Sequence, residues 1–240
     1  PETLDLHRRI IHEKPFLLQI YYEWYREILS SLTEVGRPIL ELGAGGGFLS
    51  QMAPGIISSD ITYLQGIDLV MRGENLPLAD RSLRGIVMTN VLHHIPEPRN
   101  FLCEATRCVL PGGIITMIEP WVTAWSRLVY QNLHHEPFIP NSSSWNFKSS
   151  GPLSGANGAI PWMIFQRDRT QFEREFPQWQ IEIIRPIMPF RYLISGGLSY
   201  RSLVPEWSFN FWRWLENTFY LFLNRFGMFA YIQLRRNGTG

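Results

Sequence analysis

Ile39-Leu40-Glu41-Leu42-Gly43-Ala44-Gly45-Gly46-Gly47 runs from a short apolar strand pattern directly into a glycine-rich turn, and Phe48–Met52 then reads as a helix. A strand that feeds such a turn brings backbone N–H groups and a helix start close to a ligand, because glycine has no Cβ to hold it off. The spacing narrows the ligand. A dinucleotide fingerprint needs a further glycine at position 48, where Phe48 stands. A phosphate-binding P-loop needs Gly-Lys-Ser/Thr, and no lysine is near. The pattern that fits is Glu-x-Gly-x-Gly-x-Gly, carried by Glu41, Gly43, Gly45 and Gly47. Asp60 closes the next strand pattern, Ile56–Asp60, where a carboxylate can take two ribose hydroxyls.

Outward from this core the chain alternates. Residues 1–34 have apolar side chains at three- and four-residue steps (Leu17, Leu18, Tyr21, Tyr25, Ile28, Leu29), predicting helix with a break or start at Pro15. Further strands are expected at Gly66–Val70, Gly85–Asn90 and Ile114–Ile118. A helix is expected over Glu97–Leu110, stopped by Pro111-Gly112-Gly113. Strands alternating with helices imply βαβ units and a parallel sheet. Beyond Glu119 the rhythm fails. Residues 120–166 and 190–225 read as irregular insertions on the substrate side, separated by a helix at Arg167–Phe176 and a strand at Gln180–Ile187. A last strand follows at Met228–Leu234.

Composition sets the outer limits. With 240 residues, 45% hydrophobic, the chain is long enough for one large α/β domain, here divided into an N-terminal helical segment (1–36), a core (37–119) and the two insertions. Aromatics at 14% argue against disorder. No transmembrane run is found, and Glu2, Asp5, Arg8 and Arg9 stand where a secretory signal would be apolar. Cys103 and Cys108 lie five apart in one expected helix, on different faces, and read as reduced thiols of a cytoplasmic protein. Residues 1–119 hold ten Lys/Arg against fourteen Asp/Glu, whereas residues 120–240 hold twelve against seven and eight of the nine tryptophans. Basic charge among aromatics suggests an anionic partner such as a membrane surface, with a solvated face over an aromatic core as the alternative.

The motifs ELGAGGG, the acid of SSD, GENLPLAD, NVLHHI and VLPGG, in unbroken order over residues 37–119, resemble class I S-adenosylmethionine-dependent methyltransferases, in particular the ubiquinone/menaquinone-biosynthesis branch. The resemblance implies a Rossmann-like α/β fold with a seven-stranded, mostly parallel sheet, helices on both faces and cap insertions. It implies S-adenosyl-L-methionine as cofactor, leaving as S-adenosyl-L-homocysteine. By position, Glu41 would orient the glycine loop or meet the cofactor's ammonium, and Gly43, Ala44, Gly45 and Gly47 would pass beneath the methionine portion. Asp60 would bind the ribose, Glu74, Asn75 and Leu76 would lie beside the adenine, and Asn90 would present its backbone to the methionine end. Relatives usually carry Asp two positions before Glu74. Arg72 stands there and has no acceptor to offer.

His93 and His94 follow the fourth strand, at the sheet edge where such folds bind ligands. A histidine there could take a proton from an acceptor hydroxyl. His94 resembles in position the histidine that works with an N-terminal tyrosine in phosphoethanolamine methyltransferases, and Tyr21, Tyr22 or Tyr25 could supply that partner. Orienting the loop is the competing role. No metal is expected at His93/His94 or His134/His135, because adjacent histidines lack companion ligands at useful spacing. Trp121, Trp125, Tyr130, Trp145, Phe147, Trp162 and Phe165 would suit the walls of a pocket for a small-molecule or lipid-linked acceptor, methylated at oxygen or carbon. DNA is disfavoured, since the fourth strand ends in Asn90-Val91-Leu92 and not in Asn/Asp-Pro-Pro-aromatic. A non-catalytic cofactor-binding scaffold and an RNA methyltransferase are the alternatives. Trp207–Tyr231 has eleven aromatics in twenty-five residues with Arg213 and Arg225 among them, suggesting either peripheral membrane contact or a buried lid.

Overall fold

The computed structural model describes residues 2–32, 36–134, 136–149, 151, 155–218 and 222–238. Its strands are β1 (Ile39–Leu42), β2 (Ile56–Asp60), β3 (Leu69–Val70), β4 (Leu83–Thr89), β5 (Val109–Pro120), β6 (Trp179–Ile187) and β7 (Phe229–Arg236). They form one seven-stranded sheet in the order β3-β2-β1-β4-β5-β7-β6. β1 sits near the middle, with Leu40 flanked in parallel by Ile57 of β2 and Ile86 of β4. All four β1 residues are buried, which is why they read as a continuous apolar run with no alternation. The chain order reverses between β1 and β4, and the crevice beyond their carboxyl ends is where an open α/β sheet takes its ligand. β7 alone runs antiparallel, between β5 and β6. The sheet is therefore mostly parallel and doubly wound, as expected.

The N-terminal helical segment divides at Pro15 into α1 (Glu2–Glu13) and α2 (Pro15–Ser30). Pro15 lacks an N–H to donate and is preset for a helix start, so it opens α2 cleanly. The apolar stripe of α2, Leu17, Ile20, Tyr21, Trp24, Tyr25 and Ile28, is buried against the rest of the core. The end of this segment, residues 33–35, lies outside the described residues. Between β1 and β2 there is only the four-residue α3 (Leu49–Met52), and no helix joins β2 to β3.

Three expectations are corrected. The helix expected over Glu97–Leu110 is α4 (Pro98–Cys108), and β5 begins at Val109 and runs through Pro111-Gly112-Gly113 instead of starting at Ile114. Val109 pairs with Leu83 and the register then shifts, so the glycines form an irregularity inside a long strand and not a gap before it. Second, residues 120–166 contain a regular helix, α5 (Ala124–Leu133). Thr123 starts it through a capping box with Ser126, which outweighs the poor helix composition of the segment. A helical run follows through α6 (Ile160–Trp162), a π-helical turn (Met163–Arg167) and α7 (Arg169–Glu175). Third, residues 190–225 hold α8 (Arg191–Ile194), α9 (Phe209–Thr218) and α10 (Leu223–Phe226). These helices are tied in by Arg191, whose guanidinium meets Glu216 at 2.5 Å and Glu23 of α2 at 2.7 Å, while Glu216 also accepts the N–H groups of Phe190 and Arg191. Both thiols are free, Cys103 exposed and Cys108 buried. Residues 150, 152–154 and 219–221, which fall in the two insertions, lie outside the described residues.

Candidate active site

A cavity of about 710 Å³ opens at the carboxyl ends of β1, β2, β4 and β5. Its floor at one end is the glycine turn. Gly43 and Gly45 have φ of +70° and +50°, left-handed values that glycine alone adopts without strain. A Cβ on Gly43 would stand 2.5 Å from Val91, and one on Gly47 would stand 2.2 Å from the Tyr25 hydroxyl. The turn is fixed by Asp60, whose Oδ2 accepts the Gly45 N–H at 2.9 Å while Oδ1 accepts from Thr62. A carboxylate has about four acceptor sites, so both oxygens keep room for a ligand's hydroxyls. α1 covers the turn: Leu4, His7 and Ile11 line the cavity, and a Cβ on Gly46 would strike the backbone of Arg8. Sequence gave no sign of this cover, because a contact between residues 8 and 46 leaves no local pattern.

Glu41 is 5% exposed and lines the same end. Burial pushes its carboxyl up to about 7, although the Ser50 N–H pulls the other way, so near neutral pH it is poised between its two forms. Asn90 also lines the cavity, in a left-handed conformation (φ +58°), its own N–H bonded to the Ile118 carbonyl. Its buried Oδ1 has no hydrogen-bond partner within the protein. Such an atom calls for a donor on a ligand. Gly73 and Glu74 belong to the wall as well. Asn75 and Leu76 do not: Asn75 is exposed, and Leu76 is core, its N–H bonded to Glu104. Arg72 is exposed and outside the lining, so the missing acidic group leaves Glu74 and backbone atoms on that side.

The other end is built from side chains. His93 is 3% exposed, and its Nδ1 lies 2.7 Å from Glu119 Oε2, while Glu119 Oε1 accepts the N–H groups of Val91 and Leu92. Its Nε2 faces Glu136 at 3.7 Å, and His94 Nε2 faces the other oxygen of Glu136 at 3.8 Å. Burial disfavours the imidazolium of His93, but Glu119 and Glu136 more than offset it and hold the group up at about 9. Burial and the neighbouring charge of His93 bring His94 down to about 4. Burial would raise Glu136, yet His93 above all, with His94 and His134, brings it down to about 2. Of the tyrosines expected to face the acceptor, Tyr21 and Tyr25 line the cavity, whereas Tyr22 is exposed and packs on Phe48. Burial keeps the Tyr21 phenol protonated, as a donor and not a base. Tyr130, Phe138, Tyr192, Met228 and Phe229 complete the wall. Of the aromatics expected to form it, only Tyr130 does so. Trp121, Trp145 and Phe165 are core, and Trp125, Phe147 and Trp162 pack against it. Glu119, Glu136 and Tyr192 were missed as site residues, being far apart in sequence and bearing no motif.

A glycine turn after the central strand, an acid at the end of β2 and a sheet ordered 3-2-1-4-5-7-6 define the class I methyltransferase fold. Residues 40–117 match the methyltransferase domain family. Among solved structures, one from the complex of the Trm112 methyltransferase activator with a methyltransferase of Haloferax volcanii aligns with TM-score 0.57 at 12% identity, covering 100% of this chain and 96% of that one. A SAM-dependent methyltransferase of Thermotoga maritima gives 0.54 at 15% identity, with 98% and 94% covered. Geranyl diphosphate C-methyltransferase of Streptomyces coelicolor, in complex with Mg2+, geranyl diphosphate and S-adenosyl-L-homocysteine, gives 0.54 at 12%, with 98% and 84% covered. No curated protein matches the sequence. Residues 40–117 thus carry a methyltransferase domain within a class I methyltransferase fold, the activity is that of an S-adenosylmethionine-dependent methyltransferase, and S-adenosylmethionine is the cofactor that domain takes. The residues present fit that molecule: the glycines clear space along one wall, and the unpartnered Asn90 oxygen and the Glu41 carboxyl suit a cationic amino-acid end.

Proposed function

We propose that this enzyme methylates an oxygen or carbon of an apolar, lipid-like small molecule that enters the end of the cavity opposite the glycine turn. The observation that supports this is the chemistry of that end. Tyr21, Tyr130, Phe138, Tyr192, Met228 and Phe229 wall it, and His93, His94 and Glu136 form a polar cluster among them. Among the described residues Arg201 is the one Arg or Lys in the lining, so the cavity is poorly suited to a phosphorylated acceptor or a nucleic acid strand. An apolar acceptor also agrees with the resemblance to the ubiquinone/menaquinone branch.

Bound S-adenosylmethionine supplies a methyl group already activated on a sulfonium, so the protein's task is to place the acceptor in line and keep water out. On the cofactor side Asp60 holds the ribose and Glu41 and Asn90 the amino-acid end, with Gly43, Ala44, Gly45 and Gly47 beneath. On the acceptor side the aromatic walls exclude water and the histidine–glutamate cluster holds the polar atom of the acceptor. Tyr21 donates from its protonated phenol.

The mouth of the cavity favours delivery from a membrane surface. Tyr200, Arg201 and Leu203 line the cavity and are also exposed. Beside them in sequence Trp207, Phe211 and Trp214 stand 83%, 55% and 60% exposed, with Arg213 and Arg225 on the same segment, while Phe209 is buried beneath. The segment thus has an inner side chain in the core and an outer face of exposed aromatics. Among the described residues no helix is long and apolar enough to cross a membrane, so such contact would be peripheral. The test is a cell extract incubated with enzyme and methyl-labelled cofactor, followed by mass spectrometry of organic, aqueous and RNA fractions. Label in an organic-phase small molecule is expected, and none with Asp60→Ala. Label confined to RNA, or no transfer to any fraction, would replace this reading with an RNA methyltransferase or a non-catalytic scaffold.

A further inference from the structure

Adjacent histidines gave no reason to expect a metal, because nothing nearby in sequence could complete a site. The fold supplies what sequence lacked. Glu136, more than forty residues further along the chain, stands beside His93 and His94, so that one donor atom of each lies within 4.8 Å of the others. His135, part of the earlier expectation, lies outside the described residues.

We propose that His93, His94 and Glu136 form a binding site for a divalent first-row transition ion such as Zn2+, at the acceptor end of the cavity. Three features carry this. First, both Nε2 atoms face the same carboxylate, at 3.7 and 3.8 Å, too long for hydrogen bonds. Ligands on a tetrahedral zinc stand about 3.3 Å apart, so each imidazole is within a few tenths of an ångström of ligand spacing from the carboxylate, and all three donor atoms lie within 4.8 Å of one another. Second, Glu119 grips Nδ1 of His93 at 2.7 Å and is itself fixed by two backbone N–H groups. A carboxylate behind a histidine, fixing its tautomer and aiming its other nitrogen, is the support metal-ligating imidazoles take. Third, all three groups line the main cavity, so an ion held by them would keep an open position towards an acceptor. Two imidazoles and a carboxylate suit Zn2+, Fe2+, Mn2+ or Co2+ better than Ca2+, which prefers oxygen alone.

The ligand on the open position would be an acceptor oxygen with a free lone pair: a phenol, enol or hydroxyl. This deepens the preceding proposal and rests on it for the acceptor, but the ion's binding is tested without any acceptor. It also competes with His94 as a base, because Nε2 spent on an ion cannot take a proton.

The experiment uses the full chain, tag removed and treated with a chelator, dialysed against Zn2+ and against Co2+. Metal content and the visible absorption of the Co2+ form are read. One ion per chain is expected, with the absorption of a four- or five-coordinate site. Glu136→Gln and His94→Gln should each weaken binding at least ten-fold, and Glu119→Gln by about ten- to a hundred-fold. His12→Gln, a remote histidine, should change nothing, and thermal melts of all variants report whether they fold. Retention of no ion, or an ion held equally by Glu136→Gln and His94→Gln, would overturn the site and leave a His93–Glu136 charge pair as what holds the cluster. Neither result would touch the assignment of an apolar acceptor, which the labelling experiment decides separately.

Discussion

The two ends of the cavity are made of different material. The cofactor end is mostly backbone: a strand, a turn with two left-handed glycines and one acid that holds the turn shut. The acceptor end is mostly side chains, drawn from His93 and His94 after β4, with His93 held from behind by Glu119 of β5, and from Tyr130, Glu136, Tyr192 and Phe229 in distant segments. A backbone site tolerates little change of residue: a Cβ on Gly43, Gly46 or Gly47 would collide with a neighbour, and Gly45 is held in the left-handed region. A side-chain site can be rebuilt one residue at a time. That difference explains how one fold keeps a single cofactor while its acceptor varies.

Substitutions can break this contrast or sharpen it. The largest expected effect is Gly43→Ala. It puts a Cβ against Val91 and forces a left-handed residue, at a cost of about 2–5 kcal/mol, so Tm should fall by roughly 10 °C and cofactor binding should vanish in calorimetry. A Gly43→Ala protein that binds normally would show that the turn is not rigid. Asp60→Asn comes next. It keeps the shape but weakens the charge-assisted hold on the Gly45 N–H and on a ribose, so cofactor affinity should drop about ten- to a hundred-fold with little change in melting.

The third test is pH. Glu41 has its proton held to about 7 in the folded chain against 4.5 when free, so the native state keeps a proton that the unfolded chain has released. Stability should therefore fall as pH rises from about 4.5 to 7, by at most about 3 kcal/mol, and level off above. A cationic ligand beside Glu41 favours its carboxylate, so cofactor affinity should rise across the same window. Glu41→Gln should flatten both profiles and raise the melting temperature of the ligand-free protein at pH 8. The smallest effect is on the outer face. Trp207→Ser with Trp214→Ser removes side chains 83% and 60% exposed, and each substitution should change stability by no more than about 0.5 kcal/mol. If the face meets membranes, co-sedimentation with anionic liposomes at low salt should fall several-fold. No binding by the unaltered protein would leave that face to another role.

Local chemistry made the cofactor half legible. Leu40 and Leu42 predict a buried strand, Gly43 and Gly45 a turn only glycine allows, and Asp60 a carboxylate at the next strand end, all within about twenty residues. The misreadings came where a long-range contact overrode a local signal. Pro111-Gly112-Gly113 looks like a stop until pairing with β4 carries the strand through it. Residues 124–133 are a different case, since the missed signal there was local: Thr123 and Ser126 cap a helix. Asn75 and Leu76 are neighbours of Glu74 in sequence, but one points to solvent and the other into the core.

The sequence by itself determined the sheet, the glycine turn and the cofactor, because each depends on residues close together in the chain and on backbone geometry that few residue types permit. Tertiary structure alone decided the rest. It laid α1 over Gly46, brought Glu119 and Glu136 to His93 and His94, and turned Trp207 and Trp214 outward while Phe209 went in. Those outcomes depend on contacts across dozens of residues, whose selection is a matter of packing the whole chain and leaves no spacing to read.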